Sequence, residues 1–197
     1  MVEIRLVSGS GMSAWLDDAA RLRIEVFREF PYLYDGSLDY EARYLAQFAQ
    51  ARDSTMVLAL DGESVVGCAT AMAMVGADAE FRRPFEQVGI AIDEVFYFGE
   101  SVLKPAYRGQ GIGHQFFDQR ESQARRSGAS VCTFCAVQRA SNHPLRPTTY
   151  RPLDGFWHKR GYQRRNDLST HFSWKDIDQP SETAKPMIFW LRELPNK

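Results

Sequence analysis

Three glycines spaced two residues apart, Gly109, Gly111 and Gly113, separate a strand-like segment from a helix-like one. The segment before them, residues 94–103, is rich in valine and aromatic residues, which is typical of a strand. Glycine allows tight turns and close approach of the backbone to a ligand, and the free N–H groups at a helix N-terminus attract anions. Because Arg108 adds a guanidinium beside them, this strand–turn–helix unit predicts a phosphate or pyrophosphate site.

The spacing of these glycines excludes two common phosphate-binding loops. The pattern G-x-x-x-x-G-K-[ST] requires a Lys-Ser or Lys-Thr pair, and none follows Gly113. The dinucleotide pattern G-x-G-x-x-G is also missed, because the third glycine comes too early. The loop therefore indicates an anion site of another class.

The order of the predicted elements defines the fold class. Hydrophobic periodicity and turn residues give the order β-α-α-β-β-α-β-α-β-α-β-β along 197 residues, a length that one domain can occupy. We therefore expect an α/β protein with one central sheet and a single domain over residues 1–197. Strands are predicted at 2–7, 55–60, 64–74, 94–103, 130–137, 162–174 and 187–194, helices at 14–27, 38–51, 81–88, 111–127 and 153–160, and a polar linker at 176–185.

Charge and hydropathy exclude several classes of function. The chain has 24 Lys+Arg against 25 Asp+Glu, and a near-neutral protein is a poor candidate for binding nucleic acid by phosphate neutralisation. No run approaches the roughly 18 apolar residues of a membrane helix, and the first residues show no signal-peptide pattern. We expect no nucleic-acid partner, no membrane partner and a cytoplasmic location.

A C-x-x-C pair, Cys132 and Cys135, raises the question of a metal or redox site. The pair lies in residues 129–137, which resemble a buried strand, and residues three apart on a strand point to opposite faces. A redox pair needs a helix N-terminus to lower a thiol pKa, and a zinc site needs further ligands. Cys68 is the third cysteine, and it does not supply the second pair that a zinc site would need. We therefore expect reduced core cysteines and no metal site.

Two motifs together resemble a known family. Arg108, Gly111 and Gly113 match the R-x-x-G-x-G signature of the GNAT superfamily of coenzyme A-dependent acyltransferases. Downstream, F-W-H-K-R-G-Y at residues 156–162 is similar to the F-Y-x-x-x-G-F run that ends the last helix in this superfamily. The order of elements also matches along nearly the whole chain. The resemblance implies a mixed, mostly antiparallel sheet of about seven strands flanked by helices, with splayed strands at an acyl-CoA cleft.

The resemblance implies acetyl-CoA as co-substrate and direct transfer of its acetyl group to the primary amine of a small molecule in a ternary complex. Two alternatives stay open: a non-catalytic acyl-CoA-binding or regulatory module, and an acetyltransferase for a peptide or protein amine. A homodimer is also compatible with the family. The implied coenzyme A-binding residues are Val102, Leu103, Arg108, Gly109, Gln110, Gly111, Ile112 and Gly113.

Carboxylates and tyrosines near the implied cleft are the candidate catalytic groups. We expect Glu100 to act as general base, with Glu94 as the competing candidate and a structural ion pair as the alternative role of Glu100. Where the family often has a tyrosine general acid, this chain has Trp157, whose indole cannot protonate a thiolate. Tyr150 is the predicted substitute and Tyr107 a second candidate, and departure of the thiolate without an acid is the remaining alternative.

Aromatic and charged side chains surround the expected acceptor site. The segment 28–44 mixes tyrosines with carboxylates, which suits a cationic amine, and Tyr32 and Tyr34 are its predicted contacts. Opposite it, Arg146 in the loop 142–152, with Arg151 beyond it, is predicted to bind a carboxylate or phosphate, which would make the acceptor zwitterionic. An aromatic cap that only covers the core is the alternative role of the first segment.

Overall fold

Seven strands and five α-helices are found in residues 1–195, the part of the chain that the computed structural model describes. They follow one another in the predicted order. The strands are β1 Glu3–Ser8, β2 Thr55–Asp61, β3 Ser64–Ala73, β4 Val95–Leu103, β5 Val131–Val137, β6 Gln163–Lys175 and β7 Glu182–Glu193. The helices are α1 Leu16–Phe27, α2 Leu38–Ala49, α3 Ala79–Gln87, α4 Ile112–Arg126 and α5 Asp154–Lys159. Within these residues, no helix has the length and apolar character needed to cross a membrane.

The strands form one sheet in the order β1-β2-β3-β4-β5-β7-β6. Every neighbouring pair is antiparallel except β4 and β5, which run parallel. A parallel pair needs a crossover connection, and α4 provides it. The structure thus confirms the predicted mixed, mostly antiparallel sheet.

Helices cover both faces of the sheet, and each face has its own core. Helices α1, α2 and α3 contribute Leu22, Leu45 and Phe85 to the core on one face. Helix α4 contributes Phe117 to the core on the other face, against which α5 packs Phe156. We call these the α1 face and the α4 face.

The two cysteines of the C-x-x-C pair lie on opposite faces of β5, as strand geometry requires. Cys135 packs into the α1-face core and Cys132 into the α4-face core. Burial raises the pKa of the Cys135 thiol to about 11 and that of Cys132 to about 12, so both are neutral at physiological pH. All three cysteines are free. The described residues contain no group of three or more His, Cys, Asp or Glu side chains placed to hold a metal ion.

Strands β4 and β5 pair over only part of their length. Their ladder joins residues 95–97 to residues 131–133, although β4 continues to Leu103 and β5 to Val137. Beyond the ladder the strands diverge, and a cleft opens that is lined by residues of both faces. The predicted splaying of the strands is therefore confirmed.

The segment predicted as a polar linker, residues 176–185, is partly strand. Strand β7 begins at Glu182, so β6 and β7 form a long hairpin around a shorter turn. Lys185 pairs with Phe172, and its buried Nζ donates to the backbone oxygens of Trp174 and Thr183. The prediction was wrong because the first residues of β7 are polar and pair only with β6, so no apolar alternation marks them.

A buried ion pair fixes this hairpin to the segment that follows α1. Asp176 accepts two hydrogen bonds from Arg139, at 2.7 and 3.0 Å, and lies 3.2 Å from Nζ of Lys185. Arg139 also donates to the backbone oxygens of Pro31 and Tyr32, both at 2.7 Å. Although burial opposes the charged form, the hydrogen bonds from Arg139 and Lys185 lower the pKa of Asp176.

We expect Asp176→Asn to destabilise the protein by about 3 kcal/mol in urea unfolding at neutral pH, because two buried cations lose their carboxylate. A carboxyl group whose pKa is lowered by folding stabilises the protein above its unfolded pKa, and this effect is lost as the pH falls through the folded pKa. The difference between wild type and variant should therefore shrink as the pH falls below the ordinary value of 3.8. Asp178→Asn, at an exposed position in the same turn, is the control and should change stability by less than about 0.5 kcal/mol. Equal losses in the two variants would contradict the role of the pair.

Candidate active site

The opening between β4 and β5 forms a cleft of about 1060 Å³. Its walls come from the C-terminal end of α1 with the segment after it, from β4 and β5, from the loop before α4 with α4 itself, and from residues 145–157. This volume exceeds that of most small-molecule pockets. The cleft can therefore hold an extended ligand together with a second, smaller one.

The glycine loop exposes its backbone to this cleft. Gly109 and Gly111, which both line it, have φ angles of +76° and +82°, in the left-handed region that favours glycine. A Cβ at either position would meet no atom within 4 Å. Helix α4 begins at Ile112, and the first N–H groups of a helix have no intrahelical acceptor. In α4 they have no side-chain cap either, and the first turn contains no acidic residue. The loop fits a pyrophosphate group.

Arg108 lies beside the loop in a fixed position. Its Nε donates to the backbone oxygen of Leu103 at 3.0 Å, and its Nη1 donates to Glu29 at 2.9 Å. Both side chains of the ion pair are 45% exposed, and an exposed pair contributes about 1 kcal/mol or less. An arriving phosphate can therefore compete with Glu29 for the guanidinium.

A β-bulge in β4 sets the direction of Glu100. The register of β4 against β3 shifts by one residue between Phe98 and Ser101. Gly99 and Glu100 therefore share a single position opposite Thr70. Such a bulge reverses the alternation of faces along a strand. Phe98 packs into the α4-face core, yet Glu100, two residues later, contacts α1.

Contacts from β3 and α4 hold the bulge in place. The backbone N–H of Glu100 donates to Oγ1 of Thr70 at 3.3 Å. Arg120 of α4, which is 1% exposed, donates to the backbone oxygen of Glu100 at 3.2 Å and to Oγ of Ser101 at 2.8 Å. Burial lowers the pKa of Arg120 to about 10, which still leaves the guanidinium charged at neutral pH. An ideal Cβ on Gly99 would lie 2.5 Å from Oγ1 of Thr70, so glycine is required there.

Glu100 shares one arginine with a second carboxylate. Nη1 of Arg23 lies 2.5 Å from Oε2 of Glu100, and its Nε donates to Oε2 of Glu41 at 2.5 Å. All three side chains are nine-tenths buried or more. Although burial opposes the charge, the Glu100 carboxylate, with a contribution from Glu41, raises the pKa of Arg23. Two carboxylates around one guanidinium leave a surplus of one negative charge.

Each of the two carboxylates also keeps one free oxygen. Oε1 of Glu100 and Oε1 of Glu41 are buried, and neither accepts a hydrogen bond from any described residue. Glu100 lines the cleft, whereas Glu41 is absent from its described walls. A buried oxygen without a hydrogen-bond donor is unfavourable, so a cationic donor that reached Oε1 of Glu100 from the cleft would be stabilised there.

Tyr150 lines the same cleft as Glu100. Its ring packs edge-on against Phe30, with 4.7 Å between the centroids, and the guanidinium of Arg146 lies 5.3 Å from the centre of that ring. Burial, and then the nearby Asp154 carboxylate, raise the pKa of Tyr150, so the hydroxyl keeps its proton at neutral pH. It can serve as a proton donor, and its catalytic role stays a prediction.

Of the two tyrosines predicted to contact the acceptor, the structure places one at the cleft. Tyr32 lines it, and its ring packs against Phe27 at 4.5 Å. Tyr34 is absent from the described walls and forms an isolated bridge with Asp176. Burial, and then Glu41, raise the pKa of Tyr34. The ring of Tyr34 packs against the α1-face core, and its contact with an acceptor stays a prediction.

Three other candidates lie away from the cleft wall. Arg146 contacts the ring of Tyr150 and is not among the described cleft-lining residues, whereas Arg151 is, and their role as a clamp stays a prediction. Tyr107 donates to Asp61 at 2.7 Å and is also absent from those walls. Glu94 accepts a hydrogen bond from Ser130 at the closed end of β4.

Residues implied to bind coenzyme A divide into two groups. Leu103, Arg108 and the three glycines of the loop line the cleft. The side chains of Val102 and Ile112 are buried in the core, and that of Gln110 donates to the backbone oxygen of Ala106. The second group can therefore offer a ligand only its backbone atoms, and its binding role stays a prediction.

Comparison with known proteins identifies the family. The model of the acetyltransferase (GNAT) family matches residues 19–162. The chain belongs to the GNAT acetyltransferase family. A sequence comparison with curated proteins gave no match.

Solved structures of the same fold support this assignment. An N-acetyltransferase from Staphylococcus aureus has a TM-score of 0.63 at 13% identity, with 99% of both chains covered. A ribosomal-protein-alanine N-acetyltransferase from Brucella melitensis has a TM-score of 0.63 at 14% identity, with 98% of this chain and 99% of that one covered. A Salmonella typhimurium protein solved with its cofactor acetyl-CoA has a TM-score of 0.59 at 13% identity, with 100% and 95% covered. At these identities the likeness establishes the GNAT fold.

Three residues of the buried polar network at this cleft were not predicted as such from the sequence: Arg23, Glu41 and Arg120. Two of them carry a recognisable signal, because each lies on the apolar stripe of its helix. Arg23 comes four residues after the buried Ala19, and Arg120 four residues after the buried Phe116. An arginine on a buried stripe needs buried partners. That requirement could have pointed to a buried polar network.

We expect Gly99→Ala to lower the stability of the protein by about 1–3 kcal/mol and to reduce activity, because the new methyl group would overlap Oγ1 of Thr70. Thr70→Ala removes that oxygen, so the double variant should regain part of the stability lost in Gly99→Ala. Urea unfolding of the two single variants and the double variant measures this coupling. Gly155→Ala, where a Cβ meets nothing within 4 Å, is the control. Strictly additive losses would show that the overlap is not the cause.

Proposed function

We propose that this GNAT protein transfers an acetyl group from acetyl-CoA to the primary amine of a small molecule within a ternary complex. The observation that carries the proposal is the free, buried carboxylate oxygen of Glu100, on a cleft that also contains the anion-binding loop. One cleft thus offers a site for a polyanionic donor and a separate site for a cationic acceptor.

The glycine loop and β4 are suited to the donor. GNAT acetyltransferases use acyl-CoA and an acceptor, and the Salmonella typhimurium relative was solved with acetyl-CoA. The N–H groups at the start of α4, with Arg108, would bind the pyrophosphate. Past the ladder with β5, the backbone of β4 up to Leu103 has no partner strand on that side, so its polar groups can bind the pantetheine amides.

Glu100 and Tyr150 are suited to the two proton transfers. The acceptor ammonium would bind near Oε1 of Glu100, which takes one proton from it and leaves a neutral amine whose lone pair attacks the thioester carbonyl. A C–N bond forms, the C–S bond breaks, and the departing thiolate takes a proton from the hydroxyl of Tyr150. The second proton, which the nitrogen loses as it becomes an amide, returns to the oxygen of Tyr150 through solvent, and Glu100 releases its proton to solvent. Holding both reactants in one cleft supplies much of the rate acceleration.

Contacts across the cleft favour a small acceptor over a peptide. Phe30, on the segment after α1, meets Tyr150 at 4.7 Å and His143 at 5.7 Å, so the segment after α1 touches the loop after β5. The Brucella melitensis relative is a ribosomal-protein-alanine N-acetyltransferase, and a peptide acceptor would require these contacts to open. A small amine fits beneath them.

We expect Glu100→Gln to lower kcat by about 100-fold or more in a thiol-release assay with acetyl-CoA and pooled amines, because the proton acceptor is lost. Glu41→Gln is the matched control, because it removes the other carboxylate from Arg23 and leaves the cleft wall unchanged. Both variants should lose similar stability. If both lose activity equally, or if acetyl-CoA binds and no amine or peptide is acetylated, the proposed function is wrong.

We expect Tyr150→Phe to lower kcat by about 10-fold or more, with little change in the KM for acetyl-CoA, because the ring contact with Phe30 is kept and the proton donor is lost. The matched control is Tyr107→Phe, which removes a hydroxyl that bonds Asp61 outside the cleft walls. Steady-state kinetics at neutral pH decide the point. An unchanged kcat in Tyr150→Phe would show that the thiolate leaves without this acid.

A further inference from the structure

The bulge at Gly99 divides the cleft into two halves with different walls. On the α4 face lie the glycine loop and α4, where the donor would bind. On the α1 face, where Glu100 meets Arg23, the walls include Phe27, Phe30, Pro31, Tyr32 and Val137. These walls are aromatic or aliphatic, and Tyr150 closes them through its contact with Phe30.

The cations around the α1-face half already have carboxylate partners. Arg23 lies between Glu41 and Glu100, and Arg139 binds Asp176 in a bidentate pair. A further arginine of the cleft wall, Arg151, is exposed on the segment that leads into α5. An acceptor carboxylate in the α1-face half would therefore meet the surplus negative charge of Glu100.

We propose that the acceptor is a primary amine carried on a flat apolar group and lacking a carboxylate. This inference rests on the proposed function and names the substrate class of the same site. The ammonium binds Oε1 of Glu100, and the apolar group packs among Phe27, Phe30 and Tyr32. The zwitterionic acceptor predicted from Arg146 and Arg151 is the competing substrate class, and Arg146 is not among the described residues of the cleft wall.

Three small amines separate the contributions of ring and charge. The probes are 2-phenylethylamine, phenylalanine, which adds a carboxylate to the same skeleton, and propylamine, which lacks the ring. Burial of a ring is expected to favour 2-phenylethylamine over propylamine by about 10-fold or more in kcat/KM. A like charge beside a buried carboxylate is expected to disfavour phenylalanine by about 100-fold. Spermidine and an alanine-initiated peptide complete the panel as a polycation and a peptide.

Binding is measured separately from turnover. Calorimetric titration of 2-phenylethylamine into protein saturated with coenzyme A should show binding that weakens in Glu100→Gln. Phe30→Ala should raise the KM for 2-phenylethylamine more than the KM for propylamine, because it removes the ring contact and keeps the carboxylate. An equal effect on both amines would overturn the assigned role of the aromatic wall.

The outcomes distinguish this inference from the proposed function. Turnover that favours phenylalanine, spermidine or the peptide would overturn the substrate class and leave the acetyltransferase function standing. Binding of 2-phenylethylamine without acetylation of any amine would support the pocket and overturn the proposed function. Acetyl-CoA binding with neither turnover nor binding of any amine would overturn both.

Discussion

The extra residue in β4 is the constraint on which the proposed active site depends. In a regular strand, Phe98 and Glu100 would share a face, and the carboxylate would point toward α4 and the donor. The bulge turns Glu100 toward α1, where it pairs with Arg23, and turns Ser101 toward α4, where Arg120 donates to its hydroxyl oxygen. One inserted residue therefore decides on which side of the sheet the surplus negative charge lies.

Divergence of β4 and β5 creates the opening, and polar contacts from neighbouring elements keep it in shape. Parallel strands that separate after three pairs leave backbone groups that need other partners. Arg120 donates to the backbone oxygen of Glu100 on β4, and Arg139 donates to those of Pro31 and Tyr32 in the segment after α1. Both arginines are largely buried, so charge-assisted hydrogen bonds hold both the bulge of β4 and the segment after α1.

Local patterns were sufficient to predict the order of the elements, the glycine loop and the opposite faces of Cys132 and Cys135. Each depends on residues close in sequence, where periodicity and turn chemistry act. The bulge could not be predicted in this way, because it arises where two residues of β4 lie opposite one residue of β3. The sequence of either strand alone does not show this difference. The pair between Arg23 and Glu100 joins two distant elements and was foreseen only as a general alternative for Glu100. The linker at 176–185 was misassigned because the polar start of β7 lies beyond the apolar core.

The replacement of the family's tyrosine by Trp157 connects acid catalysis to the acceptor wall. Trp157 packs against Phe134 and Trp190, with centroid distances of 5.0 and 5.1 Å, so its role in this fold is packing. In the proposed mechanism the acid is then Tyr150, which comes from the loop after β5 and whose ring contacts Phe30. Phe30 thus belongs both to the proposed acceptor wall and to the packing around the proposed acid. In that mechanism the aromatic wall that would hold the acceptor also supports the hydroxyl that would protonate the thiolate.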